Sequence, residues 1–184
     1  MSMNWTLTGQ WNEERWAQAR ELYLQAFPSG AKPEHVIRRM FQREMCELHV
    51  GTDDSGPAAM ALTGLSHDRQ ALLIDYLAIR EDLRGQGWGV HLVNRIKERA
   101  ADVQQAKGVI VEIEAEDNET NARRLSFWCR CGFMATDYVH QYIWVPEPYR
   151  ALVCSFDPDH PLPASGRKLF GYINDFHRKA FSSR

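Results

Sequence analysis

The residues best suited to chemistry are gathered in one short stretch, Arg84-Gly85-Gln86-Gly87-Trp88-Gly89. It follows a strand-like run ending Asp75-Tyr76-Leu77-Ala78-Ile79 and leads into a segment of helical period. A helix start presents backbone N–H groups with no partner in the helix, together with a partial positive charge. It therefore favours an anion, and glycines let the anion's oxygens come close to the backbone. Arg84 adds a cationic fork. Two phosphate motifs fail on spacing. A dinucleotide fingerprint needs glycine at its sixth position, but that position is Val90 counted from Gly85 and Leu92 counted from Gly87. A Walker A loop needs Gly-Lys-Ser/Thr, which the chain lacks.

Three carboxylates on strand-like segments are candidates for proton transfer. Asp75 shares a strand face with Leu73, Leu77 and Ile79, while Glu112 and Glu114 share one face of a strand read over Val109 to Ala115. Apolar neighbours would raise the pKa of Asp75 towards that task. Asp75 reads equally well as half of a structural ion pair, and the two glutamates as solvated side chains.

These residues need a scaffold, and the periodicities supply one. Asn12 caps a helix with Trp16, Ala19, Tyr23, Ala26 and Phe27 on one side, stopped by Pro28-Ser29-Gly30. A second helix begins at Pro33 with the stripe Val36, Ile37, Met40 and Phe41, and the two read as a hairpin. Three extended segments, Glu47 to Thr52, Ala58 to Ser66 and Ala71 to Ile79, form an antiparallel meander with turn-rich links. A long helix from Gly87 to about Ala106 follows, its stripe Leu92, Val93, Ile96, Ala100 and Val103, and then the strand Val109 to Ala115. Next come a helix from Glu119 to Cys131 ended by Gly132, strands near Phe133 to Val145 and Ala151 to Phe156, and a last helix after Pro163. Leu169, Ile173, Phe176 and Ala180 line one side of that tail helix, and Arg178, Lys179 and Arg184 suit the negative end of its dipole. The order ααβββαβαββα describes an α+β domain with one strand-helix-strand crossover.

The pattern R-x-x-G-x-G after that strand resembles the acetyl-CoA motif of the GNAT superfamily of N-acetyltransferases. The run Asn121-Ala122-Arg123-Arg124-Leu125-Ser126-Phe127-Trp128-Cys129-Arg130-Cys131-Gly132-Phe133 resembles the same family's second motif, and the likeness covers about residues 4–156. It implies a mixed, mostly antiparallel central sheet flanked by helices, with the tail, residues 157–184, as an extra C-terminal helix on the domain or on a second subunit. It further implies acetyl-CoA as acetyl donor, its pantetheine arm on the backbone of Leu77, Ala78 and Ile79, its pyrophosphate on the N–H groups of Arg84, Gly85, Gln86, Gly87, Trp88 and Gly89, and Asn121 near the pantetheine. The N–H of Ile79 is the family's candidate for the developing oxyanion. A primary amine would attack the thioester directly, without metal or covalent enzyme intermediate, Asp75, Glu112 and Glu114 being the candidate bases. Where many members carry a Tyr that protonates the departing thiolate, this chain has Trp128, whose indole N–H cannot do so near neutral pH. A thiol of pKa about 8.5 is a tolerable leaving group, and Tyr138, Tyr142 or water could substitute.

Composition narrows the alternatives. With 22 Lys and Arg against 24 Asp and Glu, the formal net charge of -2 gives no general attraction to nucleic acid or anionic membrane. No apolar run reaches the roughly 18 residues of a membrane span, and no signal-peptide pattern opens the chain, so a cytoplasmic protein is expected. The four cysteines read as reduced, and the seven histidines show no metal-ligand spacing. Two other functions compete with transfer. One is a catalytically weak CoA or acetyl-CoA sensor, consistent with Trp128. The other is a docking role for the last helix through Phe170, Phe176 and Phe181, leading to a homodimer. The acceptor, a small molecule or a peptide amine, is not specified by these residues.

Overall fold

The computed structural model describes residues 2–182. Seven strands and five α-helices follow in the order β1(Asn4–Thr8), α1(Glu13–Ala26), α2(Glu34–Gln42), β2(Cys46–Asp53), β3(Gly56–Leu65), β4(Ala71–Ile79), α3(Trp88–Asp102), β5(Gly108–Glu114), α4(Glu119–Arg130), β6(Met134–Gln141), β7(Pro148–Ser155) and α5(Gly166–Phe181). The sheet order is β1-β2-β3-β4-β5-β7-β6. The fold is thus α+β, a mostly antiparallel sheet flanked by helices and followed by a C-terminal helix. The chain divides into two units, one made of Met1–Gly64, Ile74–Leu92 and Arg178–Arg184, the other of Leu65–Leu73 and Val93–His177.

In the first unit α1 begins because the Asn12 side chain accepts the N–H of Arg15, and its buried face is Trp16, Ala19, Leu22 and Tyr23. Pro33 precedes α2, which buries Val36, Ile37, Met40 and Phe41. Polar links join the two helices: the indole N–H of Trp16 donates to Glu34 at 2.8 Å and Arg38 pairs with Glu13 at 2.7 Å, while within α2 Arg38 also pairs with Glu34 at 2.9 Å. One strand escaped the sequence reading. Asn4–Thr8 pairs antiparallel with β2, from Asn4↔Thr52 to Thr8↔Leu48. β2 and β3 continue the antiparallel pattern with a shift in register between Gly51 and Thr52.

In the second unit the start of β4 runs parallel to β5 through Ala71↔Gly108, Leu72↔Val109 and Leu73↔Ile110. β5 pairs antiparallel with β7, setting Glu112 opposite Ala151 and Glu114 opposite Tyr149. Leu92, Val93, Ile96 and Ala100 of α3 are buried as their spacing demands, but Val103 is 63% exposed. The reason is an earlier helix end: α3 stops at Asp102, and Gln105 takes a left-handed φ of 55°. β6 likewise ends at Gln141, before the expected Val145, and its register against β7 shifts between Ala135 and Val139. α4 closes as read, with Gly132 at φ 88°.

On α5, Leu169, Phe170, Ile173, Phe176 and Ala180 are all buried within the chain. That removes Phe170 and Phe176 from any docking surface and leaves only Phe181, 53% exposed, of the three aromatics named for that role. Arg39 of α2 and Arg43, its C-cap, donate to the last carbonyls, Lys179 O at 2.7 Å and Ser182 O at 3.0 and 3.1 Å. Arg184, the third cation assigned to the helix dipole, lies outside the described residues. All four cysteines are free thiols; Cys46, Cys131 and Cys154 are buried and Cys129 is exposed. Burial pushes the Cys46 and Cys131 thiols up from their ordinary range.

Candidate active site

The glycine turn is held from its first residue. As β4 ends, the N–H of Arg80 donates to Ala58 O at 2.8 Å. Its guanidinium then forks onto Asp53, at 2.6 and 3.1 Å, and onto Asp82, at 2.7 and 3.1 Å. Those hydrogen bonds hold both carboxyls below the usual carboxylate range. A 3-10 turn, Glu81–Leu83, follows and buries Leu83. Sequence reasoning missed this clamp, because Asp53 is 27 residues away from Arg80 and looked like an ordinary turn residue.

Past the clamp, Gly85 and Gly87 adopt φ of 74° and 87°, and a Cβ built on either would meet nothing within 4 Å. The space over the turn is therefore open backbone. The N–H of Arg84 is taken by Glu81 O at 3.2 Å, which corrects the expectation that the anion site begins at that group. The Arg84 side chain turns back, its Nε donating to Ile79 O at 3.1 Å, and Gln86 donates to Asp82 O at 2.7 Å. The first bond into α3 is His91 N–H to Gly87 O at 3.0 Å, so the N–H groups of Trp88, Gly89 and Val90 lie ahead of the helical ladder. His91 packs between rings, its centroid 5.5 Å from Trp5 and 6.1 Å from Trp88. Trp88 is thus engaged with a neighbouring ring on its own helix.

The three candidate bases have different surroundings. Asp75 does not stand among apolar side chains alone. The ammonium of Lys32 donates to both its oxygens at 2.8 Å, and the two side chains are only 3% and 5% exposed. Around them, Tyr76 donates to Gly30 O at 2.8 Å and accepts the Lys32 N–H at 3.1 Å, and Tyr23 donates to Lys32 O at 3.1 Å. Burial drives the Tyr76 and Tyr23 hydroxyls far above their ordinary range. Lys32 carried no sequence signal; it sits in a loop before Pro33 and reaches Asp75 only through the tertiary fold.

Glu112 accepts from the Tyr142 hydroxyl at Oε2 and from the His177 imidazole at Oε1, both at 2.8 Å. Its side chain is 20% exposed and that of His177 23%. Aromatic groups gather around its tyrosine partner: the Tyr142 ring lies 4.6 Å from His140, 5.5 Å from Tyr149 and 5.8 Å from Trp144. Burial first, then Glu114 and Glu112, pushes Tyr149 up to about 12, so it stays protonated through the neutral range. Glu114 faces Arg124 at 3.4 Å. Tyr142 was named from sequence only as a substitute acid, and His177 only among the histidines without metal-ligand spacing; both meet at Glu112.

The second motif is structural where it can be seen. Asn118 caps α4 by accepting the N–H of Asn121 at 2.9 Å. The Asn121 side chain is buried, donating to Glu116 O at 3.1 Å and accepting from Arg124 at 3.2 Å. Trp128 is buried between Phe127 and Phe133, each at 5.1 Å. Tyr138, the other candidate acid, contacts His140 at 3.2 Å and carries Arg167 over its ring at 4.6 Å.

Comparison with known proteins places the chain in a family. The model of the acetyltransferase (GNAT) family matches residues 16–133. No curated protein matches the sequence. Among solved structures, an acetyltransferase of Bacillus subtilis in complex with CoA is 18% identical, with a TM-score of 0.61 over 85% of this chain and 100% of that one. The ribosomal-protein-S18-alanine N-acetyltransferase of Escherichia coli is 15% identical, with a TM-score of 0.65 over 87% and 100%. A GNAT family acetyltransferase of Elizabethkingia anophelis with acetyl-CoA bound is 15% identical, with a TM-score of 0.60 over 84% and 98%. At such identities the structures establish the shared fold, while the family model reaches from α1 through both motifs. The chain belongs to the acetyltransferase (GNAT) family and is an acyl-CoA-dependent N-acyltransferase.

Proposed function

We propose that the protein moves the acetyl group of acetyl-CoA to a primary amine by direct attack. The observation that carries this is the open turn at Gly85 and Gly87, followed by the unladdered N–H groups of Trp88, Gly89 and Val90. Phosphate oxygens fit such a surface, since nothing stands over the glycines and the helix dipole favours negative charge. The pyrophosphate would lie on the backbone of residues 85–89, with the remaining Arg84 donors beside it. The pantetheine arm would extend along the backbone of Leu77, Ala78 and Ile79, with the Ile79 N–H as oxyanion donor. Asn121 would act indirectly, by holding the turn from Glu116 into α4.

For the base we favour Glu112. Its carboxylate is partly exposed and hydrogen-bonded by a hydroxyl and an imidazole, whereas Asp75 is locked by a buried ammonium and Glu114 faces a guanidinium. The amine's proton passes to Glu112 as nitrogen bonds to the thioester carbon, and CoA leaves as thiolate, protonated by solvent or by Tyr142. Glu112 and Glu114 favour a cationic acceptor. We extend the proposal to a cytoplasmic homodimer, to be checked by solution mass; the exposed apolar residues Met134, Val139, Ile143 and Trp144 are surface that a second copy could cover. No helix among the described residues is long and apolar enough to cross a membrane. A second reading, an acetyl-CoA sensor without turnover, is favoured by the buried Trp128 in place of the family's Tyr.

Release of free CoA thiol across polyamines, amino-sugars, lysine peptides and peptide N-termini tests the proposal, with turnover expected for at least one cationic amine. Gly87→Val should weaken acetyl-CoA binding at least about tenfold, since φ of 87° strains any β-branched residue and its methyls would occupy the phosphate space. Binding without any turnover would favour the sensor. Unchanged affinity in a folded Gly87→Val protein would put the cofactor elsewhere.

A further inference from the structure

We infer that His177, on the C-terminal helix and outside the family-matched residues 16–133, is a positioning residue that sets the protonation state of Glu112. The inference rests on the reading of Glu112 as base. Two donors grip that carboxylate from different elements. Tyr142, beyond the end of β6, takes Oε2 and His177, on α5, takes Oε1, each at 2.8 Å. With both oxygens bonded, the carboxylate cannot rotate freely, and its remaining lone pairs are fixed in direction. A phenol ordinarily loses its proton only near pH 10, whereas an imidazole ordinarily titrates near neutrality.

The consequence follows from charge. With a neutral imidazole, Nε2–H donates to Glu112 and the carboxylate keeps the basicity needed to take a proton from an ammonium. When a second proton reaches the ring, the same contact becomes an ion pair. It stabilises the ionised carboxylate and so weakens it as a base. A proton taken up by the ring across this 2.8 Å contact therefore switches the base off. The other groups around the pair are His140, against the Tyr142 ring at 4.6 Å; Tyr149 on β7, at 5.5 Å from that ring; and Glu114 on β5, balanced by Arg124 of α4 at 3.4 Å. Asp175 and Arg178 flank His177 on α5. His140 meets the pair at the Tyr142 ring.

The test is the pH profile of kcat, read as CoA thiol release with a saturating amine, for the full-length protein and its His177→Gln and His177→Phe variants. Gln retains a donor but cannot become charged. It should keep the plateau within about threefold while moving the acid limb to lower pH by about one unit or more. Phe removes the donor and should lower the plateau roughly tenfold or more, with acetyl-CoA affinity unchanged. An acid limb that stays in place or moves up in folded His177→Gln overturns the inference, whatever the Phe variant does. Glu112→Gln separates this from failure of the base reading. If that variant retains kcat, the base assignment falls and the inference with it. If it loses kcat while the His177→Gln limb stays put, only the inference falls.

Discussion

Asp75 and Glu112 are both strand carboxylates with hydrogen bonds to both oxygens, yet their surroundings make them different chemical groups. Asp75 faces the Lys32 ammonium, both side chains nearly out of solvent and with Tyr76 beside them. Glu112 faces a hydroxyl and an imidazole and keeps a fifth of its side-chain surface in solvent. A buried ion pair costs desolvation on both sides and is recovered only by good geometry, so its value lies in fixing structure. A partly wet carboxylate held by a hydroxyl and an imidazole can change its charge during a reaction. Residue type and strand position do not decide between these fates; the partner does.

The sharpest way to break this contrast is to neutralise each carboxylate in turn. Glu112→Gln should lower kcat by about 10²- to 10⁴-fold with little change in melting temperature, as for loss of a general base. Asp75→Asn should do the reverse, lowering the melting temperature while kcat of the folded protein stays within a few-fold. Kinetics and thermal melts on both variants check the pair, and a collapse of kcat in a stable Asp75→Asn protein would transfer the base role to Asp75.

A smaller effect sharpens the structural half. Lys32→Met leaves a buried carboxylate without its counter-charge, at a cost of about 3–5 kcal/mol. For a chain of this size that is roughly a 10 °C fall in melting temperature. Adding Asp75→Leu to Lys32→Met should restore much of it, because the orphaned charge goes too. No recovery in the double variant would mean that the surrounding tyrosines, and not the charge, carry the cost.

The smallest effect concerns the Arg80 clamp, a third way of holding carboxylates. Asp53 and Asp82 have depressed pKa values in the folded protein, chiefly through their hydrogen bonds to Arg80. Their contribution is therefore present above the ordinary aspartate value of about 4 and is lost as pH falls through the lower folded values. Arg80→Gln should reduce the melting temperature modestly at pH 6, and the gap from the unaltered protein should narrow by pH 3. A gap that widens on acidification would contradict the assignment.

The sequence made the frame of the site readable because the glycine turn, its preceding strand and the period of α3 are local signals. Leu92, Val93, Ile96 and Ala100 are buried as their spacing required, and Asn12 and Gly132 mark helix ends as their chemistry predicts. What escaped was non-local. β1 is five residues long and gains meaning only against β2, some forty residues on. Lys32 and Asp75 are 43 residues apart, and Glu112 and His177 are 65 apart. Neither pairing has a periodicity to announce it. The Val103 error had a different origin: a stripe continued on paper past the point where Gln105 turns left-handed.

The unequal burial of the four thiols bears on how this enzyme is handled at the bench. A disulfide-exchange dye added to follow the released CoA meets Cys129 at the surface, while Cys46, Cys131 and Cys154 are shielded. The folded enzyme thus brings about one fast-reacting sulfhydryl per chain to the cuvette, a blank that scales with enzyme and not with substrate. The same asymmetry makes Cys129 a ready attachment point for a fluorophore. A rise of that count towards four then reports unfolding in the very trace that measures turnover.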